Sequence, residues 1–442
     1  MSDKPERRKS RVPSTRIGRM LRLGLTAGEL AAGGIGESLR RIAGGEQAPA
    51  GNAFLTGSNA TRLAKRLAHM RGAAMKLGQL ISMESEHVLP AEFTDALAIL
   101  RDAGDSMTDT QLNRLLGREY GKGWQQQFEE FDYEPVAAAS IGQVHYARAL
   151  DGTELALKIQ YPGVARSIDS DVMNMASLLR VSRILPLEMD ISGVVDEARR
   201  QLRQEADYLQ EAAYIRHYRE LVADEPRFRV PAVHDEFTTR RILAMDFMAG
   251  EPLDVVERAE IPQHRRDRIG SLFYHLLFRE LFEFRVMQSD PNFANYLLQR
   301  ESGDLVLLDF GSTVTFTEEF TDRYARICRA MLDGDAATMR SSAEEIGYLQ
   351  PHCSDDHAAQ VLDLIRMVCE PLGHKGPYDF GGSDLIRRAR DAGIDLVFRS
   401  GEFHAPPPET IFLHRKLVGS FLLCARLRAT FDVREMIESF LA

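Results

Sequence analysis

Apolar residues recur every three or four positions at Leu63, Leu67, Met70, Ala74, Leu77 and Ile81, which marks one face of a long helix beginning near Ser58. The same period predicts further helix over residues 91–100 and 109–116. From Phe128 the texture changes to short strands. Glu154–Gln160 alternates, with Leu155, Leu157 and Ile159 on one face and Ala156, Lys158 and Gln160 on the other. Tyr161-Pro162-Gly163 then reads as a turn. Helix is predicted again near Asp169 and over 194–214, where Ala198, Leu202, Glu205, Leu209 and Ala212 share a stripe. Residues 241–248 form another apolar strand. Beyond Asp254 the pattern is helical, including an apolar helix over 272–287, except for a hairpin over 297–309 turning at Ser302-Gly303-Asp304. No internal repeat is visible.

Composition narrows this picture. A chain of 442 residues with 44% hydrophobic content can bury a large core. Its net charge of −10 disfavours nucleic acid as a partner. The charge is uneven: residues 1–22 carry eight basic against two acidic residues, with apolar Ile17, Met20 and Leu21 between the last arginines. That arm, residues 1–50, is expected to be a mobile basic segment or a weak membrane-surface helix. Cys328, Cys353, Cys369 and Cys424 form no C-x-x-C pair, so a disulfide framework is not expected. The histidines show no zinc-ligand spacing. No apolar run approaches the roughly 18–20 residues that span a bilayer, and 417–425 is short and flanked by Lys416 and Arg426. The expected location is cytoplasmic and peripheral to the inner face of a membrane.

The chemistry lies in four segments. Ala137-Ala138-Ala139-Ser140-Ile141-Gly142-Gln143-Val144 stands where a phosphate loop would precede a strand bearing a lysine, here Lys158. On that strand small Ala156 shares the face of Lys158 and leaves room for an adenine ring. Asp290 and Asn295 show the D-x-x-x-x-N spacing of a phosphoryl-transfer loop, with Asp near the acceptor and Asn on a metal. Gln288-Ser289 replace the usual His-Arg. Asp309-Phe310-Gly311 follows the apolar stretch 305–308, and a carboxylate there suits magnesium, which prefers oxygen ligands. Any of these alone would be unremarkable; their order and spacing together point to phosphoryl transfer. Glu205 and Glu211 each need a basic partner: one should meet Lys158, the other a second lysine. Lys76 and Gln79, at i and i+3, share a helix face. No Ala-Pro-Glu follows Gly311, so little chain is available to dock a peptide, and a lipid or small-molecule acceptor fits better. His414 beside Arg415 and Lys416 reads as a structural or surface cluster.

Lys76-Leu77-Gly78-Gln79 resembles the KxGQ motif of the UbiB/ADCK family of atypical, protein-kinase-like proteins. Glu205-Ala206-Asp207 is similar to its ExD motif, and residues 137–140 to its alanine-rich loop. Asp290–Asn295 and Asp309–Gly311 resemble its catalytic loop and metal motif. The segment from Gln288 to Asn295, with His414-Arg415-Lys416-Leu417, looks closer to the coenzyme Q kinase-like branch than to distant members. The resemblance implies an α+β, two-lobed protein-kinase-like fold with an N-terminal helical extension and a mostly helical C-lobe. The expected divisions are 1–50, 51–127 with KxGQ, 128–248 as N-lobe and 249–442 as C-lobe. It implies Lys76 and Gln79 in the cleft, Glu205 near Lys76, and Glu211 on Lys158. Catalytic residues are then Asp290, Lys158, Lys76, Gln79, Glu205, Asp207 and Glu211. Nucleotide contacts are expected at Ala137, Ala138, Ala139, Ser140, Ile141, Gly142, Val144, Ala156, Lys158, Met245, Asp246, Phe247 and Met248, with Asn295 and Asp309 on the metal. The implied cofactors are ATP or ADP and Mg2+. The implied activity is that of a phosphotransferase or conditional ATPase supporting ubiquinone biosynthesis, with a lipid or quinone precursor, a membrane surface and other biosynthetic proteins as partners. The acceptor stays open, as does the oligomeric state, with a homodimer among the options. Two other readings are a small-molecule kinase of the aminoglycoside or choline type, which KxGQ opposes, and a nucleotide-regulated lipid-binding scaffold without catalysis.

Overall fold

The computed structural model describes residues 106–181, 192–253, 261–350, 352–399 and 407–441. The arm over 1–50, the helix bearing Lys76 and Gln79, and the segment 91–100 lie outside the described residues. Two units emerge from the packing: the described residues up to Arg216 with Ala232–Phe247, and His217–Pro231 with those from Met248 onward.

In the first unit, helix α1 (Asp109–Glu119) starts at Thr108, whose hydroxyl accepts from the Gln111 amide. Strands β1 (Phe128–Phe131), β2 (Ala137–Ala138), β3 (Gly142–Ala149) and β4 (Glu154–Gln160) follow, then helices α2 (Val164–Val181), α3 (Ser192–Glu205) and α4 (Tyr208–Leu221), the last of which belongs to the second unit from His217 on. After β5 (Phe228–Arg229), which belongs to the second unit, β6 (Ile242–Asp246) completes an antiparallel sheet in the order β1-β3-β4-β6, with β2 on β3. Strand β4 has the bounds its alternation predicts. Leu155, Leu157 and Ile159 are fully buried against α1 and Trp124, Phe128, Ile242 and Ala244. The opposite face, Ala156, Lys158 and Gln160, is buried as well, so this strand is covered on both sides.

The single helix expected over 194–214 is two. Asp207 interrupts it: its carboxylate accepts from the Gln210 amide at 3.1 Å and so caps α4. The expected stripe therefore does not run through. Leu209 is 45% exposed, and Glu205 is only half-buried at the end of α3.

The second unit is built on strands of two or three residues and on helices. Strands β7 (Glu251–Pro252), β8 (Val286–Gln288), β9 (Tyr296–Leu298), β10 (Leu305–Leu307) and β11 (Thr313–Thr315) surround the loop from Ser289 to Asn295. They form a sheet in the order β5-β10-β9-β7 and a separate β8–β11 pair. The predicted hairpin is β9–β10, turning through Gly303 at φ 73°. The helix expected over 272–287 differs. Helix α5 (Gln263–Phe278) passes into a π turn at Arg279–Phe284, and Arg285, left-handed at φ 55°, releases the chain into β8. The longer remaining helices are α6 (Glu318–Asp333), α7 (Ala336–Ile346), α8 (Asp355–Val368), α9 (Leu385–Arg399), α10 (Pro408–Leu427) and α11 (Val433–Leu441), with a last short strand pair at Tyr378–Asp379 and Thr430–Phe431. The short strands β8 and β11 were missed by the helical expectation because three residues cannot show a period of two.

Candidate functional site

In the first unit the alanine-rich segment is a hairpin tip. Ala137 and Ala138 pair with Val144 and Gln143, and the Ala139 amide donates to the Gly142 carbonyl at 3.0 Å. No alanine there has a positive φ, so a methyl side chain fits this backbone. Gly142 is different. A Cβ there would lie 2.4 Å from the Ile159 carbonyl oxygen and 3.0 Å from the Tyr208 hydroxyl, so the hairpin can lie against β4 only with glycine. Ile141 is buried, and its carbonyl accepts from the Tyr161 amide at 2.9 Å.

Lys158, opposite Val144 on β3 and Leu243 on β6, projects to α4. Its Nζ lies 2.7 Å from Glu211 Oε1; the side chains are 9% and 0% exposed. The Tyr208 ring sits beneath the ammonium, 5.4 Å from its centroid. Of the two acids, Glu211 is thus the one that meets Lys158. Glu205 instead accepts from the Ser140 hydroxyl at 2.6 Å, which ties the hairpin tip to the end of α3. Asp207 is exposed and serves α4 as its cap. Ala156 faces Met245 across the β4–β6 pairing. Asp246 is occupied locally: one oxygen accepts from the Ala232 amide and the other meets His234 Nε2, both at 2.8 Å. The Phe247 amide donates to the Glu154 carbonyl at 2.9 Å. Met248 is half-buried and belongs to the second unit.

In the second unit the loop between β8 and β9 holds Asp290 and Asn295. Asn295 Nδ2 and Gln288 Nε2 both donate to the Asp290 carbonyl at 2.9 Å, which fixes the loop from both ends. Arg415 Nη2 donates to Asp290 Oδ1 at 2.8 Å from a side chain only 4% exposed. Pro291 rests on Gly419 of α10 so closely that a Cβ on Gly419 would lie 1.9 Å from Pro291 Cγ. Asp309 Oδ1 accepts from the Gly311 amide at 2.9 Å, and Phe310 is fully buried against Tyr218, with ring centroids 4.8 Å apart. Asn295 and Asp309 open on one cavity of about 10 Å³, the room of about one water, which Gln288, Glu280 and Lys416 also line.

Lys416 is among the most deeply buried charges here. Its Nζ lies 2.9 Å from Glu280 Oε2 and donates to the Gln288 carbonyl at 2.9 Å. Burial opposes its charge, but Glu280 and Tyr296 hold its pKa above the ordinary lysine value. His414 meets the Tyr348 hydroxyl, and burial lowers its pKa to about 4. Tyr348 in turn meets Tyr324. Sequence reasoning assigned no site role to Arg415, Lys416, Glu280, Gln288 or Gly419. The available signal was three consecutive basic residues in an otherwise apolar helix, since buried charges require partners.

Asn295 and Asp309 offer an amide oxygen and a carboxylate, hard donors of the kind magnesium takes, and a pair leaves coordination positions for phosphate oxygens and water. Among the described residues no group of three or more His, Cys, Asp or Glu is gathered as an all-protein metal cage. No helix among the described residues is long and apolar enough to cross a membrane.

An antiparallel sheet carrying the buried Lys158–Glu211 pair in one unit, and an Asp–Asn loop with an Asp-Phe-Gly segment in the other, define a kinase-like protein. The profile of the ABC1 atypical kinase-like domain matches residues 99–343. The mitochondrial atypical kinase COQ8B of Rattus norvegicus is 38% identical over 99% of this chain and 82% of its own length. The mitochondrial atypical kinase COQ8 of Saccharomyces cerevisiae is 32% identical over 98% of this chain and 86% of its own. Among solved structures, Rv3197 of Mycobacterium tuberculosis, determined as an erythromycin complex, matches with a TM-score of 0.60 at 26% identity, over 87% of this chain and 95% of that one. The chain belongs to the ABC1 atypical kinase-like family, the UbiB/ADCK family that its motifs resemble.

Proposed function

We propose that this protein binds a magnesium–nucleotide complex and turns it over, as an ATPase or a phosphotransferase, in support of ubiquinone biosynthesis. The observation that carries the reading is the buried Lys158–Glu211 pair, 2.7 Å apart, with the small Ala156 two residues before Lys158 on the same face of its strand. A lysine held in this way is aimed by its partner and can meet phosphate oxygens without searching. Bound nucleotide would supply the phosphoryl group and magnesium its charge neutralisation. The residues of the chain hold and orient: Asn295 and Asp309 would take the ion, and Lys158 the phosphates. Asp290, turned by Arg415, would accept the proton of a hydroxyl or water nucleophile. Lys76 and Gln79, outside the described residues, are proposed to line the same site. The relatives named COQ8 support the pathway assignment, and the lack of a peptide-docking segment after Gly311 supports a lipid or small-molecule acceptor, near a membrane surface.

The test is ATP hydrolysis by purified full-length protein with magnesium, with and without anionic-lipid vesicles, and with Asp309→Asn as control. Metal-dependent hydrolysis that rises with vesicles and is lost in the control is the expected result. Nucleotide binding with no hydrolysis under either condition would replace this reading with that of a nucleotide-gated scaffold.

A further inference from the structure

Gln288, the last residue of β8, is held on every polar side. Its amide donates to the Tyr218 hydroxyl at 2.6 Å, and its carbonyl accepts from Lys416 Nζ at 2.9 Å. Its side-chain amide reaches forward to the Asp290 carbonyl at 2.9 Å, and Asn295 Nδ2 meets that carbonyl at the same distance. Behind Gln288, Tyr218 donates to Glu280 Oε1 at 2.7 Å, and Lys416 lies 2.9 Å from Glu280 Oε2. The Lys416 and Glu280 side chains are 1% and 0% exposed.

An ion pair this deep is a poor source of stability. Its desolvation cost rivals its attraction, and well-packed neutral replacements of such pairs are often no less stable. What an apolar side chain cannot do is donate to the Gln288 carbonyl while being held by Glu280. We propose that Lys416 is a positioning residue: through Gln288 it fixes the loop that carries Asp290 and Asn295, and thereby the geometry of the Asn295–Asp309 ion site. The effect on magnesium rests on the function proposed above; the holding of the loop does not.

The experiment uses full-length Lys416→Met and the double variant Lys416→Met with Glu280→Gln, which leaves no unpaired buried charge and keeps an acceptor for Tyr218. Two quantities are read: hydrogen exchange over residues 286–298 without nucleotide, and the magnesium concentration that half-saturates ADP binding. In the double variant, exchange over 286–298 is expected to accelerate about tenfold while β4 keeps its protection. The magnesium requirement should rise roughly 10- to 100-fold, as for other residues that orient metal ligands. Wild-type exchange over 286–298 in the double variant overturns the proposal. So does acceleration spread evenly over the second unit, or failure of the double variant to fold, either of which makes Lys416 merely structural. If the wild-type protein takes up no magnesium–ADP, the proposed function falls, and the exchange measurement still decides the role of Lys416.

Discussion

Replacing Gly419 with alanine tests the placement of Asp290 without touching a charged group. The added Cβ would stand 1.9 Å from Pro291 Cγ and 2.6 Å from its Cβ. Carbon atoms settle about 3.5–4.0 Å apart, so Pro291 or α10 must yield by about 1.5 Å. Repuckering the proline ring moves Cγ but leaves its Cβ at 2.6 Å, still far too close, and α10 is pinned to this loop by Arg415 and Lys416. The displacement therefore falls on the residue before Pro291, which is Asp290. Overpacking of this kind costs about 1–3 kcal/mol, while glycine to alanine inside a helix returns about 1 kcal/mol. The net loss of about 0–2 kcal/mol leaves the protein folded. Misplacing a catalytic group by about 1 Å can cost about 10²-fold in rate. Gly419→Ala should thus keep a melting temperature close to wild type and lose about 10²-fold in magnesium-dependent ATP hydrolysis. Gly393→Ala, in α9 with nothing within 4 Å of the new methyl, serves as control: it should leave hydrolysis unchanged and raise the melting temperature slightly, by the same helix gain of about 1 kcal/mol. A Gly419→Ala protein with wild-type hydrolysis and a raised melting temperature would refute the reasoning.

Glu211→Gln removes the charge opposite Lys158 in a pair 9% and 0% exposed, and breaking such a pair costs about 3–5 kcal/mol. Calorimetry should show a clear fall in melting temperature, largely recovered in Lys158→Met with Glu211→Gln while nucleotide binding stays lost; an unchanged melting temperature in the single variant counts against the pairing. His414 gives a pH signature. Burial lowers its folded pKa to about 4, against about 6.5 for an unfolded histidine, so below about pH 6.5 the unfolded chain takes up a proton that the folded chain refuses. Stability attributable to His414 is complete above pH 6.5 and falls as pH drops toward 4. The ceiling is about 3 kcal/mol, and the observed loss should be smaller because the ring is only half-buried by area. Urea unfolding at pH 7.5, 5.5 and 4.5 should show a shallower acid loss in His414→Gln than in wild type, and parallel curves would remove His414 as the cause.

What the sequence made legible was whatever depends on near neighbours. The alternation of Glu154–Gln160 names its own strand, because each residue's face follows from its parity. The β9–β10 hairpin is announced by Gly303, which supplies the positive φ that the turn requires. Asp207 carries two signals at once: it completes an acidic motif, and its carboxylate caps α4 and so ends the stripe, a local bond that a helical period does not show. The division of labour between Glu205 and Glu211 could not follow from helical spacing, because the helix that would define that spacing is interrupted between them.

The support behind Asp290 was hidden for a different reason. Arg415 meets Asp290 across 125 residues, Lys416 meets Gln288 across 128, and His414 meets Tyr348 across 66. No periodicity reaches that far. Yet the three residues stand side by side in α10, between apolar Leu413 and the close-packed Gly419, and successive helical positions point about 100° apart. A helix with an arginine and a lysine buried in directions so different must find a separate counterpart for each, or it cannot be buried there at all. A basic triplet inside an apolar helix is therefore itself a structural statement: it predicts that polar groups from distant parts of the chain converge on that helix. The groups that converge here are the proposed catalytic aspartate, the residue that leads into its loop, and a tyrosine. On this reasoning α10 acts as the template on which the Asp290 loop is set, rather than as a surface element with a basic cluster.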